Sequence, residues 1–320
     1  MNVRMIDIVL ATYNGESFLE EQINSIQKNY GYSKFIHRII ITDDGSTDKT
    51  KEIVARLMGQ DDKIYWVDNR LGRHGPIANF EFGLLQSTTK YIMLCDQDDV
   101  WFESKLEESI KAMQRIENKV GMDKPILIFS DVQIVDEHLN EICSSYFILK
   151  NIAKDWHLKF KQLCQQNPIS GCTMFFNRSL VEKSLPIPTN AYMHDWWVSL
   201  VAKRTGAIAF IDQPLVKYRQ HTNNVIGANK RTGINLIFNF LSNFKQFESS
   251  FGAIIAQAKA FQEYENKNGL SSDQTVKSLV ELETLNKYEK IKVIINKKIY
   301  RSNWSGNIAL LLTLLKMKKK

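Results

Sequence analysis

The first part of the chain alternates short apolar runs with segments whose apolar residues recur at helical spacing. Five runs have the length and composition of buried strands, at 6–11, 36–42, 64–67, 91–95 and 126–130. The segments between them predict helices, and the first helix is expected to begin at a capping box formed by Ser17 and Glu20. Strands separated by helices favour right-handed crossovers, so the pattern predicts an α/β fold with a mostly parallel sheet.

The pattern changes in the later part of the chain. Apolar runs at 172–176 and 207–211 predict two more strands. Near 225–232 the strand signals give way to aromatic-rich amphipathic helix signals that continue to the end. We therefore predict two regions, an α/β domain over 1–228 and a helical, basic region over 229–320.

Composition excludes several classes of protein. Hydrophobic residues make up 44% and charged residues 24% of the 320 positions, which excludes wholesale disorder. The four cysteines are scattered without a CxxC pair, so a zinc ribbon or disulfide framework is not expected and a reducing compartment fits. No apolar leader precedes the first strand, and no apolar stretch reaches the roughly 18 residues of a spanning helix. We expect a cytoplasmic protein.

Positive charge is concentrated at one end of the chain. Residues 287–320 hold ten Lys or Arg and one acid, so they carry +9 and the remainder carries −2 of the net +7. Nucleic acid is not an expected partner, because the main body is not basic. The apolar run 308–315 lies between Trp304 and terminal lysines, which is typical of an interfacial anchor on the anionic cytoplasmic face of a membrane. Alternatively, this run packs on the first domain and the lysines are merely solvated.

Polar residues follow the first two predicted strands, where ligands of a parallel sheet bind. Thr12, Tyr13 and Asn14 follow the first strand. The aromatic ring of Tyr13 can stack on a base, although an ordinary strand–helix turn has the same composition.

Asp43 and Asp44 follow the second strand, and capping of the next helix does not need both of them. Adjacent carboxylates repel unless a donor or cation shares them, and one of them could accept a nucleobase N–H.

Three carboxylates follow the fourth predicted strand within four residues, Asp96, Asp98 and Asp99. Such crowding is unfavourable without a counter-charge, and hard divalent cations such as Mg²⁺ or Mn²⁺ take oxygen ligands. The spacing does not match an EF-hand, because Trp101 stands where that loop requires glycine. The alternative is a solvated acidic start of the following helix.

Two later clusters carry further candidate chemistry. Asp195 lies between His194 and the pair Trp196 and Trp197, and partial desolvation by aromatic neighbours suits a general base. The alternative is that the tryptophans are core residues and Asp195 caps a helix. His221 could ligate a metal or contact a diphosphate, but a lone histidine is more often structural.

Taken in order, these stretches resemble the family-2 glycosyltransferases, which have the Rossmann-like GT-A fold. The likeness covers about residues 5–228 and rests on six stretches, at 9–15, 43–48, 96–101, 170–172, 194–196 and 218–221. The sequences Asp-Gln-Asp-Asp-Val-Trp, His-Asp-Trp and Arg-Gln-His, with Asn223 and Asn224 close behind, are most similar to bacterial rhamnosyltransferases of cell-wall polysaccharide and O-antigen synthesis.

The resemblance implies a nucleoside-diphosphate sugar as donor and a set of residues that bind it. Thr12, Tyr13 and Asn14 would line the nucleoside pocket. Asp43 would accept a hydrogen bond from a pyrimidine N3–H, and Asp96 and Gln97 would contact ribose or donor sugar. The implied donor-binding residues are Thr12, Tyr13, Asn14, Asp43, Asp44, Asp96 and Gln97.

The resemblance also implies a metal site, a base and an acceptor side. Asp98 would bind a Mn²⁺ or Mg²⁺ ion that bridges the diphosphate, and His221 would complete the metal or diphosphate site. Asp195 would be the general base, with His194 and Trp196 on the acceptor side. Only one catalytic carboxylate, the base, is needed, because the leaving diphosphate does not have to be protonated by a second one.

These roles imply an inverting, metal-dependent transfer to a growing, lipid-linked bacterial surface polysaccharide at the cytoplasmic face of the membrane. The implied donor is dTDP-rhamnose, with a UDP-hexose or UDP-N-acetylhexosamine as alternative. A nucleotide-sugar-binding protein without transfer activity is the alternative from another class. A nucleotidyltransferase is disfavoured because its Gly-rich phosphate loop with Lys or Arg is missing: residues 9–20 hold one Gly and no Lys or Arg. A dinucleotide-dependent dehydrogenase is disfavoured because no GxGxxG follows the first strand.

Overall fold

The computed structural model describes residues 4–221, 236–297, 299–302 and 304–317. Several predictions fall outside these residues, namely Asn223, Asn224, the change of pattern near 225–232 and the lysines at 318–320.

Nine strands of the described chain form one mixed sheet. They are β1 (Ile6–Thr12), β2 (Ile36–Asp43), β3 (Ile64–Asp68), β4 (Tyr91–Asp96), β5 (Val100–Trp101), β6 (Ile126–Val135), β7 (Glu141–Cys143), β8 (Phe175–Asn177) and β9 (Ala207–Arg219). The order is β3-β2-β1-β4-β8-β6-β9-β5, with β7 on β6. The first four strands pair in parallel, as do β6 and β9, whereas β5, β7 and β8 pair antiparallel. The predicted mostly parallel sheet is confirmed.

The register of the central strands brings their polar ends together. Thr12 pairs with Asp43, and Ala11 pairs with Asp96. The apolar residues that precede these ends are almost completely buried, because both faces of a parallel sheet are covered by its crossover helices. Since the strands run in parallel, the polar residues that follow β1, β2 and β4 share one edge of the sheet.

Nine α-helices precede the end of β9 in the described part of the chain. Those in the first part of the chain are α1 (Leu19–Gln27), α2 (Tyr32–Phe35), α3 (Thr50–Met58), α4 (Pro76–Gln86), α5 (Lys105–Val120), α6 (Tyr146–Lys150), α7 (Phe160–Leu163), α8 (Arg178–Ser184) and α9 (His194–Thr205). Helix α4 approaches β1 and β2 closely at Gly83, where a Cβ atom would overlap Val9 and lie 3.0 Å from Cγ2 of Thr42.

Three local predictions differ from the structure. Helix α1 begins at Leu19 behind Phe18 and has no side-chain cap, so the predicted capping box is wrong. The run at 172–176 is divided between a 3₁₀ turn, Gly171–Thr173, and the short strand β8. Strands β6 and β9 are longer than predicted, because they continue to pair with each other past two register shifts.

The contacts divide the chain into two units. The first comprises the described parts of 1–150, 169–187 and 193–227, and the second those of 151–168, 188–192 and 228–320. The segments 151–168 and 188–192, which lie within the predicted first domain, therefore belong to the same unit as the later helices. Sequence pattern did not indicate this, because these segments are short connections whose packing partners lie far away in sequence.

The second unit is helical, and the predicted C-terminal helical extension is confirmed. Its later helices are α10 (Leu236–Lys267), α11 (Gln274–Glu281), α12 (Lys287–Lys297) and α13 (Trp304–Lys316). Helix α13 packs on α10 and α12 and buries Leu310 and Leu314. No helix in the described part of the chain is both long and apolar enough to cross a membrane.

Candidate active site

The turn after β2 is built around Asp43, which is 5% exposed. Its Oδ1 accepts hydrogen bonds from Oγ1 of Thr12 at 2.9 Å and from Oγ of Ser46 at 2.5 Å. Its Oδ2 accepts from the backbone N–H groups of Gly45 and Ser46 at 3.0 and 2.8 Å. A carboxylate has about four acceptor positions, so the contact with a nucleobase implied for Asp43 requires one of these donors to give way.

The neighbouring Asp44 holds a loop that the sequence analysis did not single out. Its Oδ2 accepts from the backbone N–H of Gly75 at 2.6 Å, and its Oδ1 lies 3.1 Å from both Nδ2 of Asn69 and Nδ1 of His74. This anchors the segment between β3 and α4 at the same edge of the sheet. Asn69 could have been identified from sequence as a residue of this edge, because it lies shortly after a predicted parallel strand.

Gln97 supports the turn after β1. Its Oε1 accepts from the backbone N–H of Tyr13 at 2.9 Å, and its Nε2 donates to the carbonyl of Tyr13 at 3.0 Å. The carboxamide lies so close to Gly15 that a Cβ atom there would be 2.5 Å from Oε1. The structure therefore gives Gln97 a structural task, because both ends of its amide bind the backbone of Tyr13. The implied donor contact stays a prediction.

The same turn presents an aromatic ring. The Tyr13 side chain is 57% exposed, and Oδ1 of Asn14 accepts from the backbone N–H of Thr47 at 2.9 Å. Asn14 has φ near 50°, a left-handed conformation that asparagine tolerates better than most residues. The loops after β1 and β2 are thereby joined, and an exposed ring lies beside them.

Three carboxylates meet at the end of β4 and the start of α9. Burial raises the pKa of Asp96 to about 7, and the nearby charges of Asp98 and Asp195 contribute to the rise. Burial likewise raises the pKa of Asp99 well above its usual range. The structure thus places Asp96 within electrostatic reach of both Asp98 and Asp195, although Asp195 lies about a hundred residues later in the sequence.

Asp98 and His221, the two predicted metal ligands, lie next to each other. Oδ2 of Asp98 is 2.8 Å from Nε2 of His221, and their side chains are 17% and 10% exposed. A carboxylate oxygen suits Mg²⁺ and Mn²⁺, and a neutral imidazole nitrogen is a common metal ligand. The crowded carboxylates supply negative charge that a cation would balance, so these residues fit a divalent metal.

A second group of ligand atoms lies behind this pair. One atom each of Asp96, Asp99 and Cys172 falls within 4.8 Å of the others. Burial raises the pKa of the Cys172 thiol well above its usual range, which disfavours the thiolate that binds metals. The ammonium of the buried Lys105 donates to the carbonyl of Cys172 at 2.9 Å. This group is therefore less suited to a hard cation than Asp98 and His221.

Asp195 is partly exposed in the first turn of α9. The adjacent 3₁₀ turn packs so tightly that a Cβ atom on Gly171 would lie 3.6 Å from Cβ of Asp195 and 2.8 Å from Nε2 of His194. The helix N-terminus stabilises a negative charge at this position. Asp195 is therefore a partly exposed residue whose charged form, which can accept a proton, is favoured.

The two predicted acceptor-side residues are buried. His194 is 3% exposed and stacks on Phe80, with ring centroids 4.0 Å apart, and Trp196 is 5% exposed. Neither ring nitrogen of His194 has a hydrogen-bond partner among the described residues, and burial lowers its pKa to about 3. In this structure they cannot contact an acceptor as implied, because their aromatic surfaces pack inside the first unit.

Comparison with known proteins places the chain among enzymes of sugar transfer. A sequence model of the family described as "Glycosyl transferase family 2" matches residues 7–185. The dTDP-rhamnosyl transferase RfbG of Shigella flexneri is 27% identical over 236 residues, which cover 69% of this chain and 74% of that protein. An uncharacterized glycosyltransferase of Haemophilus influenzae is 26% identical over 69% of this chain and 67% of that protein.

Solved structures show the same fold. Residues 1–349 of S. aureus TarS, in complex with UDP-GlcNAc, superpose with a TM-score of 0.56 at 14% identity, covering 98% of this chain and 90% of that one. The mannosyltransferase PcManGT from Pyrobaculum calidifontis, in complex with GDP-Man and Mn²⁺, gives 0.53 at 14% identity, covering 99% and 81%.

Proposed function

Because the chain belongs to glycosyl transferase family 2, we propose that it moves one sugar from a nucleoside diphosphate to a saccharide hydroxyl with inversion at the anomeric carbon. The predicted family, GT-A fold and enzyme class are confirmed. The observation that carries the proposed reaction is that the charges of Asp98 and Asp195 both act on Asp96 at the end of β4, where His221 lies 2.8 Å from Asp98.

The proposed donor is dTDP-rhamnose. Support comes from the motifs 96–101 and 194–196 and from the name of the S. flexneri relative. A UDP-N-acetylhexosamine or UDP-hexose is the second candidate, which the UDP-GlcNAc complex of TarS favours. The exposed ring of Tyr13 and the joined loops after β1 and β2 suit either base, because stacking does not depend on the base.

Asp98 and His221 would hold a Mn²⁺ or Mg²⁺ ion, which supplies positive charge to the diphosphate as negative charge develops on it. In the proposed displacement, Asp195 accepts the proton of the acceptor hydroxyl. The acceptor oxygen bonds to the anomeric carbon while the bond from that carbon to the diphosphate breaks, and the electron pair leaves with the diphosphate. Asp195 fits this step because it is partly exposed and lies in the first turn of α9, where its charged form is favoured.

We also propose that the acceptor is lipid-linked and that the protein works at the anionic cytoplasmic face of a membrane. Helix α13 keeps one apolar face exposed, with Trp304, Ile308, Leu311 and Leu315 along it. This spacing of four, three and four residues forms a single stripe. Basic residues surround it in sequence, which suits an anionic surface.

The metal requirement is tested by replacing Asp98. Asp98→Ala should remove detectable transfer, and EDTA should do the same to the wild-type protein, because the diphosphate loses its counter-ion. Asp62→Ala, at an exposed carboxylate, is the matched control and should remain active. Full activity of Asp98→Ala in chelator would overturn the metal role.

A further inference from the structure

Arg219, the last residue of β9, is 2% exposed and donates to three separate segments. Its Nε donates to the carbonyl of Asp98 at 2.8 Å, and its two terminal nitrogens donate to the carbonyl of Glu137 and to Oε2 of Glu21. Its guanidinium lies over the ring of Phe18, with its carbon 4.5 Å from the ring centroid.

These contacts depend on the shape of an arginine. A buried cation is costly unless it is paired and hydrogen-bonded, and Glu21, which is itself half exposed, is the carboxylate that pairs with it. The planar fork directs its donors to a helix, a strand end and a loop at the same time. A lysine would keep the charge but could not reach all three in fixed directions.

The contacts converge on the two candidate metal ligands. The side chain of Arg219 holds the carbonyl of Asp98, and its backbone N–H donates to Oδ1 of Asp99 at 3.2 Å, so the chain is fixed at Asp98 and at the residue that follows it. His221 follows two residues later, and its ring lies 5.0 Å from that of Phe18, which also supports the guanidinium.

We propose that Arg219 is a positioning residue that holds Asp98 and His221 in place for the metal. This rests on the proposed function, in which these two side chains bind a divalent cation. Removing the fork would allow the loop after β4 to shift relative to the end of β9. The ligand atoms, 2.8 Å apart in the structure, would then no longer be preorganised.

The test measures Mn²⁺ binding directly, by electron paramagnetic resonance of free Mn²⁺ with the full chain and a nucleoside diphosphate. Arg219→Lys and Arg219→Gln should weaken Mn²⁺ binding by about 10- to 100-fold. The Mn²⁺ concentration for half-maximal transfer should rise by the same factor, while kcat at saturating Mn²⁺ stays near the wild-type value. Glu21→Gln keeps the contact to Asp98 and should weaken binding by less than about threefold.

Folding of each variant is checked by circular dichroism and thermal unfolding. Wild-type Mn²⁺ affinity in a folded Arg219→Lys protein would overturn the proposal. If neither Arg219 variant folds, Phe18→Leu is the deciding variant. Removal of the ring that supports the guanidinium should also weaken Mn²⁺ binding. Unchanged Mn²⁺ binding in Phe18→Leu would overturn the proposal. Absence of Mn²⁺ binding to the wild-type protein, in contrast, would contradict the proposed function itself.

Discussion

Asp195 is partly exposed in the first turn of α9, and its charge contributes to the raised pKa of Asp96. In Asp195→Asn the side chain keeps its shape but cannot accept a proton, so we expect kcat to fall by about 10²- to 10⁴-fold. Donor affinity, measured by calorimetry, should hardly change. Asp62→Asn is the matched control. A fall of donor affinity in step with kcat would make Asp195 a binding or structural residue.

His194 should make stability depend on pH. Burial lowers its pKa to about 3 in the folded chain, whereas an unfolded histidine takes up a proton near pH 6.5. Below pH 6.5 the unfolded state therefore binds a proton that the folded state does not. The free energy of unfolding should fall by about 1.4 kcal/mol for each pH unit below this value.

His194→Gln removes this titration. Denaturant unfolding of both proteins between pH 7 and 5 measures it, and the difference in stability between wild type and variant should shrink as the pH falls. Parallel pH profiles for the two proteins would show that the buried imidazole does not contribute.

At the level of elements, the sequence predicted the central part of the fold well. Strands β1, β2 and β4 are apolar runs that are buried on both faces, so composition alone identifies them. The short strands β5 and β7 were missed, because two or three residues have no periodicity and form only through their partners. The predicted start of α1 was wrong because the preceding turn is fixed by bonds to the loop after β2, such as that from the N–H of Asn14 to Oγ of Ser46.

Helix α4 provides a stability test at Gly83. A methyl group there would overlap Val9 and press on Thr42, so Gly83→Ala should lower the free energy of unfolding by about 1–3 kcal/mol. Gly252→Ala, in the interior of α10 with nothing within 4 Å of the added atom, should instead raise it by about 0.5–1 kcal/mol. Denaturant unfolding measures both, and equal effects would contradict the close approach of α4.

At the level of the whole molecule, the site draws on residues far apart in the chain. Asp96 and Asp98 were identified from sequence because carboxylates crowd after an apolar run. Asp195 was identified because His and Trp residues flank it, and His221 because imidazole can ligate a metal. The supporting tasks of Asp43 and Gln97 could not be predicted, because they depend on which backbone groups lie opposite in space. The same holds for the burial of His194 against Phe80.

At the same scale, the proposed membrane contact of α13 predicts how the full chain should behave with liposomes. The full chain should co-sediment with anionic liposomes at low salt, less at high salt, and little with neutral ones, because each basic residue near the surface contributes about 1 kcal/mol. Leu311→Glu should weaken this binding. Ile148→Glu, at an exposed apolar residue of α6, is the matched control. Shortening the chain to 1–303 should abolish binding, and equal binding to both lipid types would contradict the proposal.

The most direct test of the proposed function is a turnover assay of the purified full chain. It would be incubated with dTDP-rhamnose, UDP-glucose, UDP-galactose or UDP-N-acetylhexosamines, a divalent cation, and a lipid extract from the organism that encodes it. We expect labelled rhamnose to be transferred to a lipid-linked saccharide, with dependence on Mn²⁺ or Mg²⁺ and loss in Asp195→Asn. The account would be contradicted if the folded wild-type protein consumed none of these donors, or if Asp195→Asn transferred sugar at the wild-type rate.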